Sequence, residues 1–342
     1  MSGPADCARP KIAVIGTGGT FAMHARGPFD WIEYSESGIV LPVEDLLARM
    51  GDLAPHLACE AASFRRLGST SIGPRDWVEL ARLIETTLAG DPQIRGVVVT
   101  HGTATLEETA WFLDLTLATD VPVVITGAQR PFNTTGSDAA ANLRAALAVA
   151  SSEGARGLGA LVAMDGLVFA ARDATKVASF ELAAFEAPGF GPLARVEADA
   201  SVSWRRKPVL RNGRLGRVLA YAEQHGWMLP RVDIAMSYAG ADGAAIDAFV
   251  AAGARAIVSA GLPPGRPAEQ EAHALQRARE AGVLIVQSTR ALRGMVPEQA
   301  FLQRDGFLAG SDLTPLKLRI LLMAALTQTA DARELQSIVF AH

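Results

Sequence analysis

Thr100-His-Gly-Thr-Ala-Thr-Leu-Glu-Glu-Thr-Ala-Trp111 is the stretch on which the reading of this chain turns. It follows the apolar run Val97-Val-Val99 and passes into Phe112-Leu-Asp-Leu-Thr116, which keeps helical spacing. An unbroken apolar run suits a strand buried on both faces. A glycine directly after the strand lets the chain turn, and the turn opens a helix whose first N–H groups lack partners. Backbone donors and threonine hydroxyls are thus gathered at one strand end, a setting for an anionic group or a developing oxyanion.

Ile12-Ala-Val-Ile-Gly-Thr-Gly-Gly-Thr20 has the same build: a strand, a glycine-rich turn and a hydroxyl at the strand's carboxyl end. Further apolar runs lie at Val121–Thr126 and Leu158–Met164, and helical spacing at Trp77–Leu88, Leu106–Thr116 and Ala139–Ala150. Such alternation predicts a mostly parallel sheet with helices on both faces. A Gly-, Pro- and Arg-rich segment follows, from about Pro188 to Gly226, and includes Arg205-Arg-Lys-Pro208 and Arg211-Asn-Gly-Arg214. Beyond it a second alternating set runs from strand Val232–Met236 through helix Gly243–Ala252, strand Ala256–Ser259, helix Ala268–Ala281 and strand Val283–Gln287 to a helical tail from Pro315. The expectation is a larger N-terminal α/β domain over 1–203, a linker over 204–228 and a smaller C-terminal α/β domain over 229–342.

Composition narrows the function classes. At 342 residues, 49% hydrophobic and 20% charged, the chain can bury two cores. A net charge of −4 without a long basic run argues against nucleic acid or an acidic membrane as partner. Met1 to Arg9 is short and polar, which reads as neither signal peptide nor anchor. No apolar run approaches the roughly 18 residues of a membrane span. Cys7 and Cys59 form no metal or redox spacing and the histidines are scattered. We therefore expect a cytoplasmic protein with no metal and no cofactor.

The two glycine-threonine motifs resemble those of the bacterial-type L-asparaginase/glutaminase family: Thr-Gly-Gly-Thr near the N-terminus, then His-Gly-Thr-Asp-Thr about eighty residues on. The resemblance extends over nearly the whole chain, to Tyr238-Ala-Gly-Ala-Asp242 in the C-terminal half. It implies a two-domain asparaginase-type α/β fold, a small-molecule amide substrate and a homotetramer, a dimer of intimate dimers. It also implies a hydrolase that cleaves a side-chain amide through an acyl-threonine and releases ammonia.

The same resemblance assigns roles. Thr20 becomes the nucleophile, although alone it reads as a helix N-cap. Its helper is Tyr34, in the loop Glu33-Tyr-Ser-Glu-Ser-Gly38, otherwise a solvent-exposed aromatic. Thr103 becomes a second nucleophile or water-orienting group, paired with Lys176 as base. The residues themselves lend support, because Lys176 is one of only four lysines, with Lys11, Lys207 and Lys317, in an Arg-rich chain. A desolvated lysine can lose its proton and arginine cannot, although a surface lysine at a strand end is the plainer reading. Ser69 and Thr70 match the turn that clamps the substrate carboxylate, and Gly19, Gly102, Ala104 and Ala128 complete the expected substrate contacts. Thr126-Gly-Ala-Gln-Arg-Pro131 reads as scaffold, with Ser137 or Asp138 capping the helix that follows.

The departures cluster. The family holds the substrate's α-ammonium with the Asp after His-Gly-Thr, a Gln in the clamp and an acidic residue of a neighbouring subunit. Here those positions are Ala104, Thr70 and a place near Glu298-Gln299. The family's Asn-rich turn in the C-terminal domain reads Ser259-Ala-Gly-Leu-Pro-Pro264, without Asn. A buried charge left without its partner costs about 3–5 kcal/mol, or roughly two to three decades of affinity. L-asparagine is thus expected to be a poor substrate beside an amide with no free α-amine, such as a succinamate-like acid, an N-blocked asparagine or a cyclic imide. Loss of the carboxylate should also let the pKa of Lys176 fall. Two alternatives stay open here: a weak or inactive descendant that binds a small carboxylate, and an amide-handling subunit of a larger complex.

Overall fold

The computed structural model describes residues 9–208 and 215–342. Cys7 and the stretch Arg211–Arg214 lie outside the described residues. The chain divides into two compact units, Met1–Pro208 and Val209–His342.

The first unit is built on an eight-stranded sheet. Its strands are β1 (Lys11–Gly18), β2 (Ala58–Leu67), β3 (Ile94–Thr100), β4 (Val123–Thr126), β5 (Ala160–Met164) and β6 (Leu167–Ala170). A separate two-stranded ribbon of β7 (Thr175–Lys176) and β8 (Phe185–Glu186) follows, and β9 (Ala194–Val196) and β10 (Val202–Trp204) complete the large sheet. The order is β10-β9-β6-β5-β4-β3-β1-β2. From β2 to β5 every pairing is parallel, and from β5 to β10 every pairing is antiparallel.

Alternation along the strands feeds two faces. Ile12, Val14, Val98 and Val124 join one core with Val43 and Leu46 of α1 (Val43–Met50) and with the small, close-packing face of α4 (Ala139–Ser151). The other side of the sheet carries α3 (Leu106–Thr116), which packs against β4 and β5. Helix α2 (Pro74–Gly90) is tied to α3 by Trp77 against Phe112, with ring centroids 5.7 Å apart. Proline opens α2 at a position where its missing N–H costs nothing.

The segment read as a linker is not without structure. Trp204 ends β10, and Arg205 and Arg206 donate backbone N–H groups to Leu193 O, so this part belongs to the first unit. Helix α5 (Val218–Gln224) lies in the second unit.

The second unit holds four parallel strands in the order β11 (Val232–Met236), β12 (Ala256–Gly261), β13 (Leu284–Thr289) and β14 (Leu308–Ala309). Helices α6 (Ala244–Ala251), α7 (Glu269–Glu280) and α8 (Ala300–Asp305) share one core with Ile257 and Ile285. Helix α9 (Pro315–Ala325) is buried almost all round and packs on β11 and β12, with α10 (Ala332–Ala341) beside it.

Candidate active site

Four neighbouring parallel strands, β2, β1, β3 and β4, end side by side, and each delivers a loop at its carboxyl end. The loops are Gly68-Ser69-Thr70, Gly19-Thr20, His101-Gly102-Thr103-Ala104 and Gly127-Ala128-Gln129. The carboxyl edge of an open parallel sheet is where such loops converge on a ligand.

The loops nearly touch. A Cβ on Gly19, where φ is +73°, would sit 2.5 Å from Gly102 N and closer to its Cα. A Cβ on Gly102 would sit 2.9 Å from Ser69 Cα and closer to Ser69 Cβ. Thr105 stands at the N-cap of α3 but does not cap it; its hydroxyl donates to Ser69 O at 2.7 Å and ties the clamp turn to the β3 loop. Fully buried His101 locks the same turn. Its Nδ1 lies 2.8 Å from Gly102 O, a group that can only accept, so Nδ1 carries the proton and Nε2 accepts from the Thr109 hydroxyl at 2.9 Å. Burial pushes the His101 pKa down to about 4, which keeps the ring neutral.

Thr20 is buried in a turn that no helix follows, so there is no helix for it to cap. Its Oγ1 lies 2.7 Å from the Tyr34 hydroxyl, and either can donate. Tyr34 starts a short 3-10 turn, Tyr34–Ser37, in a segment pinned to the loop beyond β4. The Asn133 amide receives Ala25 N–H at 2.9 Å and donates to Ala25 O at 2.8 Å, and Thr135 N–H donates to Pro28 O at 2.8 Å. The Arg130 guanidinium stacks on Trp31, 4.0 Å from the ring centroid.

Lys176 reaches the second hydroxyl from the β7–β8 ribbon. Its Nζ lies 2.7 Å from Thr103 Oγ1 and 3.0 Å from Gln129 Oε1. Its backbone N–H donates to Glu107 Oε1 at 3.3 Å. Burial holds the Lys176 pKa below the ordinary lysine value, against a smaller upward push from the Glu107 carboxylate. The lysine is therefore not without a carboxylate despite Ala104; Glu107, on the first turn of α3, supplies one. Neither Glu107 nor Gln129 stood out in the sequence. Gln129 was visible only as a polar residue at the end of a parallel strand, which is a positional signal for a site.

The expected residues thus fall into two pairs, Thr20 with Tyr34 and Thr103 with Lys176, on loops packed glycine to glycine. Ala128 is fully buried beneath them, while Thr70 and Ala104 are exposed. Of the two residues expected to cap α4, Ser137 does so through its Oγ, which accepts Ala139 N–H at 3.2 Å. Asp138 occupies the N-cap without capping it: its carboxylate turns back to accept Gln129 N–H (2.9 Å), Arg130 N–H (3.0 Å) and the Asn142 amide (2.9 Å). Two backbone donors of the β4 loop take precedence over the helix end. Glu298 and Gln299 lie in the second unit, where Gln299 precedes α8. Among the described residues no helix is long and apolar enough to cross a membrane.

Chemically, the arrangement offers one hydroxyl in contact with a phenol and another in contact with an amine of lowered pKa. That is the pairing an activated oxygen nucleophile requires.

Residues 11–210 match the family described as asparaginase, N-terminal, and residues 231–339 match the glutaminase/asparaginase C-terminal domain. A glutaminase-asparaginase of Pseudomonas fluorescens biotype A is 34% identical over 329 residues, covering 95% of this chain and 89% of that protein. L-asparaginase 2 of Escherichia coli (strain K12) is 33% identical over 337 residues, covering 98% and 94%. The crystal structure of a probable cytoplasmic L-asparaginase from Campylobacter jejuni superposes with a TM-score of 0.89 at 30% identity, covering 97% of this chain and 99% of that one.

Proposed function

This chain belongs to the asparaginase/glutaminase family of amide C–N hydrolases, and on that premise we propose that it cleaves a small carboxylate amide through a covalent acyl-threonine. Thr20 Oγ1 attacks the amide carbonyl and passes its proton to the Tyr34 oxygen, while the Tyr34 hydroxyl proton moves on to the amide nitrogen, so that the phenol relays one proton and ends as it began. Backbone N–H groups of the converging loops face the oxyanion that develops. With that proton on the nitrogen, the C–N bond breaks and ammonia leaves. Water, oriented by Thr103 and deprotonated through Lys176, then hydrolyses the ester and frees Thr20. The observation that carries this reading is the pair of 2.7 Å contacts, Thr20 to Tyr34 and Thr103 to Lys176.

Selectivity is a separate part of the proposal. With Ala104 and Thr70 in place of polar ligands, the preferred substrate lacks a free α-amine. Ammonia release is to be measured with asparagine, glutamine, succinamate and N-acetyl-asparagine. We expect kcat/KM for succinamate to exceed that for asparagine by about tenfold or more, a discrimination of about 1.4 kcal/mol. Equal values for the two would remove the selectivity argument while leaving the amidohydrolase reading intact.

A cytoplasmic homotetramer, built as a dimer of intimate dimers, belongs to the same proposal. It follows from the resemblance, in which the site takes an acidic residue from a neighbouring subunit; Glu298 or Gln299 is the residue expected here. A single-chain mass in sedimentation would overturn it.

A further inference from the structure

The lysine described above has two oxygen partners, and the second is not a carboxylate. Gln129 Oε1 lies 3.0 Å from Lys176 Nζ, on the loop leaving β4. The orientation of this amide is fixed from its other end. Gln129 Nε2 donates to Ser179 O at 3.3 Å and to Glu181 O at 3.0 Å, both carbonyls between β7 and β8. Turning the amide over would set its oxygen against two groups that can only accept. The Gln129 backbone is equally constrained, since its N–H is held by Asp138. The side chain is buried, so water does not substitute for these partners.

We propose that Gln129 is the positioning residue for Lys176: its side-chain carbonyl holds an N–H of the amine so that the nitrogen lone pair faces Thr103. As an ammonium, Lys176 donates to both oxygens. As a neutral amine it has two hydrogens and one lone pair. A carbonyl oxygen cannot give a proton, so the contact with Gln129 must use an N–H. The lone pair is then free for the Thr103 hydroxyl, 2.7 Å away. A neutral amide in this place steers the amine without stabilising its charged form as a carboxylate would.

The surrounding charges are few. Glu107, from α3, favours the ammonium. Asp138, before α4, is engaged by the N–H groups of Gln129 and Arg130. Arg172, ahead of β7, pairs with Asp173 at 3.1 Å. Glu181 presents its backbone carbonyl to Gln129, and Glu186 of β8 is exposed.

The proposal rests on the reading of Lys176 as the base, and the experiment separates the two. With only four lysines in the chain, lysine labelled with 13C at Cε gives few signals, and Lys176→Met identifies the one that matters. This signal is titrated in the wild-type protein and in Gln129→Glu, and the pH profile of ammonia release is recorded on the same samples. A carboxylate at position 129 favours the ammonium, so the midpoint should rise by about one unit or more. The base acts when neutral, so the acid limb of kcat/KM should move to higher pH by the same amount. Gln129→Leu, which cannot accept, should lower kcat by about tenfold or more and leave KM within about twofold. An unchanged midpoint in folded Gln129→Glu, or wild-type kcat in Gln129→Leu, would overturn the proposal for Gln129. Full ammonia release by Lys176→Met would instead overturn the reading of Lys176 and the proposal with it.

Discussion

Thr20→Ala will retain the fold and lose ammonia release by about 10⁴-fold or more on whichever amide the wild-type protein turns over fastest. The side chain is buried just beyond the end of β1 and its hydroxyl is paired with that of Tyr34, so removal deletes the attacking oxygen and leaves the core untouched. Tyr34→Phe removes only the proton acceptor and keeps the ring; a loss of about 10²-fold in kcat is expected. Thermal unfolding within a few degrees of wild type, with activity gone, is the pattern that supports the assignment. Residual turnover above about one tenth in Thr20→Ala would move the attacking role to Thr103, which already sits 2.7 Å from an amine of lowered pKa.

Gly19→Ala should be strongly damaging to stability at the site. The residue sits at a φ of +73°, and an added Cβ would meet the backbone of Gly102. The conformation costs an alanine about 1 kcal/mol and the overpacking about 1–3 kcal/mol more. Neither strand end can yield easily, because β1 and β3 are paired side by side along their length. The sum corresponds to a fall in Tm of about 5–15 °C for a unit of this size. Gly90→Ala is the matched control: it ends α2, and a Cβ there meets nothing within 4 Å. Calorimetry on both variants checks the expectation, and equal Tm values would mean that the two loops part readily.

The elements that position the site were legible for a physical reason. β1, β3 and β4 are covered on both faces, so they read as continuous apolar runs, and α3 was bounded at Leu106–Thr116 as found. β2 carries no such signal. As the edge strand it buries none of its ten residues fully, and Ala58–Leu67 shows no apolar run or clean alternation. β6 was available in principle: Asp165-Gly166, both at positive φ between two apolar runs, is the turn chemistry of a tight hairpin. The short antiparallel strands β9 and β10, of three residues each, are too brief for any period to register.

The site divides along the same line. Thr20, Thr103 and Ser69 lie in local motifs whose residues are neighbours in the chain. Gln129 and Glu107 reach Lys176 only through tertiary contacts, across 47 and 69 residues respectively, and no local spacing encodes these. Asp138 shows the converse: its local context predicts a cap, and a competing pair of N–H groups brought in by the fold takes the carboxylate instead.

Exposure is distributed unevenly over the strand-end loops, and this has a consequence for descent. Gly19, Gly102 and Ala128 are buried and closely fitted, so inherited change there carries a penalty in folding. Thr70 and Ala104 are exposed on the same loops and fill no core, so replacing them leaves packing almost unaltered. On the function proposed above, lineages can therefore exchange one diet of amides for another by drift at two tolerant positions, while purifying selection on foldability preserves the glycine-packed loops that carry the two hydroxyls.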